Sequence, residues 1–148
     1  LHRTVFTCAA VFALIAAPSL APAQEVQLGE LGSKNPRKLS KEELEQLLPG
    51  AAMSRVSQRG STHRWTNETD GSLIVSTDNA GVGPHAASST HGKWRVSDDG
   101  RLCVTIEWRM LPTEDWCRFV YETSDGYWSA RSETPTDKAY RLNIRKRG

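Results

Sequence analysis

Histidine is the side chain best suited to metal ligation and to general-base work near neutral pH. Beyond its first residues this 148-residue chain carries three, His63, His85 and His91. Brought together, with Asp70 or Asp78 beside them, they would serve a metal-assisted hydrolase. Their spacing matches no ligand motif: His85 and His91 lie in a run of small residues, and His63 alternates with Arg64. Exposed histidines are the simpler reading, and no metal or cofactor is implied. A serine hydrolase would place its nucleophile in a Gly-x-Ser-x-Gly turn, and none occurs. Glu107 with Asp115, or Glu114 with Glu122, could be imagined as a glycosidic acid–base pair, but Asp98 and Asp99 read as turn formers. No catalytic residue is assigned.

The five tryptophans are more informative, because the chain holds only three Phe and two Met. Indole either fills a core or lines a ligand site. Trp94 and Trp108 each continue an alternating apolar face and are expected in the core. Tyr127 and Trp128 are adjacent, so on one strand they point to opposite faces and cannot both be buried by one sheet face. Tyr127, Trp128 and Trp116, with His85 and His91 from a neighbouring loop, form the expected ligand-binding set.

Cysteine chemistry depends on the compartment. His2 and Arg3 precede an uncharged run from Val5 to Ala17, and Ala21-Pro22-Ala23 offers small residues before Gln24. This is the pattern of a secretory signal peptide over 1–23. The apolar run is shorter than the ~20 residues of a spanning helix, so no transmembrane segment is expected after cleavage. Cys8 leaves with the signal, and Cys103 and Cys117 remain in an oxidising compartment where a disulfide is expected. A loop of that length would add about 3 kcal/mol. Two thiolates without further ligands fall short of a metal site. The remaining chain, roughly 125 residues, suits one domain. Arg3 aside, its basic and acidic residues nearly balance, which speaks against nucleic-acid binding. The basic run Arg141, Arg145, Lys146 and Arg147 reads as an edge-strand face.

The elements that position these residues follow from pattern. Residues 24–38 are polar, with two glycines and a proline, and read as a flexible leader. Ser40 with Glu43 forms a capping box, Leu44, Leu47 and Leu48 share a helical face, and Pro49-Gly50 stops the helix. This helix, 40–48, is expected to be the only one. Alternation and turn signals then predict eight strands near 52–58, 61–66, 72–77, 93–97, 101–109, 116–123, 126–131 and 138–146. In 101–109 the Leu102, Val104, Ile106 and Trp108 face is core. In 116–123 the Phe119 face is assigned to the core. The stretch 78–92 is long for a loop and reads as a binding lid. A simple hairpin across 110–115 would set Cys117 opposite about Trp108, too far from Cys103 to bridge. Either the register places the cysteines side by side across a long excursion, or a bulge brings them together. The architecture is mainly β: a short helix plugging a bent antiparallel meander of seven or eight strands, closed as a small lipocalin-like barrel over 39–148, with a two-sheet sandwich as second choice.

Leu39-Ser40-Lys41-Glu42-Glu43-Leu44, Leu48-Pro49-Gly50, Trp65 before Asp70-Gly71, the run Gly92 to Arg101, Cys103 to Trp108 and Asp115 to Tyr121 together resemble the proteobacterial domain of unknown function 995 family. The resemblance implies a small exported bacterial protein, supports pairing Cys103 with Cys117, and carries no activity. The expected function is a non-enzymatic periplasmic binding module, for a small ligand or a protein partner at the barrel mouth. The alternatives are the hydrolase built on His63, His85 and His91, and an envelope-associated structural or inhibitory protein acting through a sheet edge.

Overall fold

A computed structural model describes residues 22–78 and 88–147. In chain order these form β1 (Glu25–Gln27), a 3-10 helix (Leu28–Lys34), β2 (Arg37–Lys38), α1 (Lys41–Leu47), β3 (Ala52–Val56), β4 (Thr62–Thr66), β5 (Ser72–Thr77), β6 (Ser88–Val96), β7 (Leu102–Ile106), β8 (Glu114–Thr123), β9 (Gly126–Ala130) and β10 (Lys138–Arg145). Strands β3 to β10 pair antiparallel in sequence order, and Ile144 opposite Met53 joins the last to the first. The result is a closed eight-stranded up-and-down barrel, with β1 and β2 as additional strands. The sandwich is not formed.

Side-chain alternation supplies the inner wall. In β5, Leu73, Val75 and Thr77 are buried while Ser72, Ile74 and Ser76 are exposed. Leu102, Val104 and Ile106 of β7 are fully buried, as expected of that face. On the inner side of β6, a Cβ at Gly92 would stand 2.3 Å from the Thr105 carbonyl oxygen and 2.7 Å from Leu73. Only glycine fits there.

The helix closes one end. The Ser40 hydroxyl accepts from the Glu43 N–H at 3.1 Å, and the Glu43 carboxylate accepts from the Ser40 N–H at 2.8 Å, which is the capping box. Leu44 and Leu48 are fully buried in the main core with Leu39, Met53, Trp65 and Val120. Buried Asn67 fastens the plug, accepting from Trp65 Nε1 at 2.9 Å and donating to the Leu48 carbonyl at 3.2 Å.

The N-terminal segment departs from expectation. Residues 24–38 are not a flexible leader: β1 pairs with β10, β2 pairs with β8, and the 3-10 helix between them lies against the outside of the wall. Leu28 and Leu31, three residues apart on a helix of three residues per turn, are buried with Tyr121, Trp128, Ala130 and Ala139 in a second core. Burial of these apolar side chains holds the segment down. The helix α1 is therefore not the only helical element. The Phe119 face of β8 also differs from the assignment made from sequence. Phe119 and Tyr121 belong to this outer core, and the face of Trp116, Arg118 and Val120 lines the barrel.

Candidate functional site

At the end opposite α1 the inner wall turns polar and encloses a cavity of about 880 Å³. Each inward row changes character at the same level. Met53 is followed by Arg55 on β3, Trp65 is preceded by His63 on β4, Val120 by Arg118 on β8, and Leu142 by Tyr140 on β10. The first of each pair is in the main core, and the second lines the cavity. Trp108 and Trp116 add indole walls, while Met110, 93% exposed, and Leu111 stand at the rim.

The cysteines fix the strand carrying this site. Cys103 and Cys117 are register partners of β7 and β8, with Cα atoms 4.0 Å apart and sulfurs at bonding distance. The hairpin difficulty is resolved by register: the strands separate after Ile106 and rejoin at Glu114, and the excursion between them supplies the rim. With Cys117 on the outer face, its neighbours Trp116 and Arg118 are directed into the barrel.

Arg55 donates to Glu114 through Nη2 at 2.6 Å, an ion pair in which the arginine side chain is nine-tenths buried. Arg118 lies 4.6 Å from the Trp116 ring centre and 4.3 Å from that of Tyr140. Burial first, and the charge of Arg55 second, push its guanidinium down to about 10, so it remains protonated at neutral pH. No carboxylate reaches ion-pair distance of it among the described residues. His63 is 93% buried, packs tilted on Trp108 with ring centres 5.1 Å apart, and is held toward its neutral form, by burial first and Arg55 second. Three buried atoms here, Arg55 Nε, His63 Nδ1 and Trp116 Nε1, have no hydrogen-bond partner among the described residues.

Of the described members of the ligand-binding set expected from sequence, Trp116 is the one that lines this cavity. Trp128 is fully buried in the outer core, because the N-terminal segment covers the face it occupies. Tyr127 is on the inner wall near the plug and borders a separate groove of about 690 Å³. His91 is exposed on the outer face of β6, and His85 lies outside the described residues. His63 and His91 thus sit on opposite faces of the wall, and no three His, Cys, Asp or Glu side chains converge as a metal site among the described residues. The lid read over 78–92 falls largely outside the described residues, and its last part, Ser88–Gly92, is strand. Arg55, Arg118 and Tyr140 escaped the sequence reading because strand alternation was judged by hydrophobicity. Their signal is parity: each stands two residues from a core side chain on the same face.

A barrel plugged at one end and open at the other onto a polar, tryptophan-walled cavity defines a β-cup. The chain belongs to the family described as protein of unknown function DUF995, whose model matches residues 11–128. No curated protein and no solved structure matches it. Among the described residues no helix is long and apolar enough to cross a membrane.

Proposed function

We propose that the chain is an exported, non-enzymatic binding module that takes a small molecule into the open end of its barrel. The observation that carries this reading is the coincidence of the cavity with three buried polar atoms that have no partner among the described residues, all on side chains that line it. Each such atom costs about 1–3 kcal/mol when left unpaired, and a ligand offers a common remedy. The volume lies within the roughly 300–1,000 Å³ of small-molecule sites. The Cys103–Cys117 pairing supports export, since cystines persist in oxidising compartments.

The test is a ¹H–¹⁵N NMR titration of the full chain with a library of neutral, cationic and anionic fragments. Binding in the cup moves the indole N–H signals of Trp108 and Trp116 and leaves that of Trp128 in place. If no fragment moves the first two at millimolar concentration, the reading fails.

A further inference from the structure

Resting on the reading of the barrel mouth as a ligand site, we propose that its ligand is an organic anion, an aromatic body whose oxyanion is held by Arg118. The charges of the inner wall do not balance. Glu114 is already engaged by Arg55 at 2.6 Å, which leaves Arg118 and Arg131 facing the same space. Asp115 at the rim is turned to the outer face, accepting from the Thr105 hydroxyl at 3.1 Å. A half-buried guanidinium without a carboxylate is costly in a space from which water is partly excluded, and a ligand oxyanion removes that cost with charge-assisted hydrogen bonds. A cationic ligand would meet three arginines against one carboxylate. Arg59 and Arg109, which also line the mouth, extend the positive field outward and draw anions in.

Two of the three orphan atoms have a fixed sign. Indole Nε1 and guanidinium Nε can only donate, so whatever satisfies Trp116 and Arg55 must present acceptors. Each belongs to a side chain on the cavity wall. The aromatic body follows from the rest of the lining. Arg118 lies close to the rings of both Trp116 and Tyr140, and Trp108 beside His63 continues an aromatic wall. Flat rings pack against such a surface and leave the guanidinium edge for the oxyanion.

Two fluorescent probes with one shared body separate charge from shape: 8-anilinonaphthalene-1-sulfonate and neutral N-phenyl-1-naphthylamine. The sulfonate is expected to bind the full chain at least about tenfold more tightly and to move the Trp116 indole signal. In Arg118→Met, which keeps an unbranched apolar stem and removes the charge, that preference falls to within about twofold while the neutral probe binds as before. Equal affinity of both probes for the wild type overturns the anion assignment and leaves the cup standing. Failure of both to bind overturns the cup as well. A sulfonate preference that survives Arg118→Met overturns the placement at Arg118. Near-ultraviolet circular dichroism checks folding, and Arg118→Gln makes the same comparison should the methionine variant not fold.

Discussion

At Asp125 one carboxylate accepts from Lys34 Nζ at 2.7 Å, the Thr123 hydroxyl at 2.7 Å, Trp128 Nε1 at 3.2 Å and Arg141 Nη2 at 3.1 Å. Lys34 first, and Thr123 next, hold it well below the usual carboxylate range. Its neighbour Gly126 has φ 123°, where a side chain is strained, so Asp-Gly was legible in the sequence as a turn. The partners were not, because Lys34 is 91 residues away. A depressed folded-state pKa stabilises the fold above the unfolded value, about 4 for aspartate, and that contribution is lost as pH falls through the folded value. Asp125→Asn is therefore expected to be less stable than wild type by a constant margin above about pH 5, with the margin shrinking below about pH 4. Denaturant midpoints measured against pH check this, and a margin that stays level into strong acid contradicts it. The same scale explains the cup residues. Arg118 and Arg55 are polar side chains at inward positions, and hydrophobicity alone sends them to the wrong face.

The N-terminal segment, β1 to β2, is the element least readable from its own residues. QEVQLGELGSK shows no α or β period, yet Leu28 and Leu31 share the face of a 3-10 turn and find an apolar patch made by Tyr121, Trp128, Ala130 and Ala139. The patch exists only once β8, β9 and β10 are side by side. Leu31 has no exposed surface, so Leu31→Ala is expected to cost about 2–5 kcal/mol of unfolding free energy. Gly32→Ala, where a Cβ meets nothing within 4 Å, is expected to stay within about 0.5 kcal/mol. Urea unfolding of the two variants separates a docked segment from a loose one. By contrast α1 was legible in full, since its capping box and leucine spacing are local, and its boundaries agree to within a residue.

At the scale of the molecule, closure depends on β10. It pairs with β9 over Ala139–Leu142, with β3 over Asn143–Arg145 and with β1 over Lys138–Tyr140, so it seals the barrel and anchors the N-terminal segment together. A chain ended at Pro135 leaves β3 and β9 with open edges and the main core without Leu142 and Ile144. It is expected to lose cooperative thermal unfolding and near-ultraviolet circular dichroism. A truncated chain that still melts cooperatively would show that closure is dispensable.

The sequence by itself determined the eight barrel strands (β6 without its first five residues, which read as loop), their turns, the capped helix and the presence of two cysteines able to pair, because each depends on residues near one another in the chain. Its Cys103, Trp108 and Trp116 were visible, but not which of two arrangements joined β7 to β8. Tertiary structure decided that register, turned Phe119 outward and Arg118 inward, buried Trp128 under the N-terminal segment, and set Trp116 rather than Trp128 at the cavity. The physical reason is that a strand has two faces and local pattern labels only their polarity. Which face is inside depends on closure and on what covers the outside, and those contacts come from residues far apart in the chain.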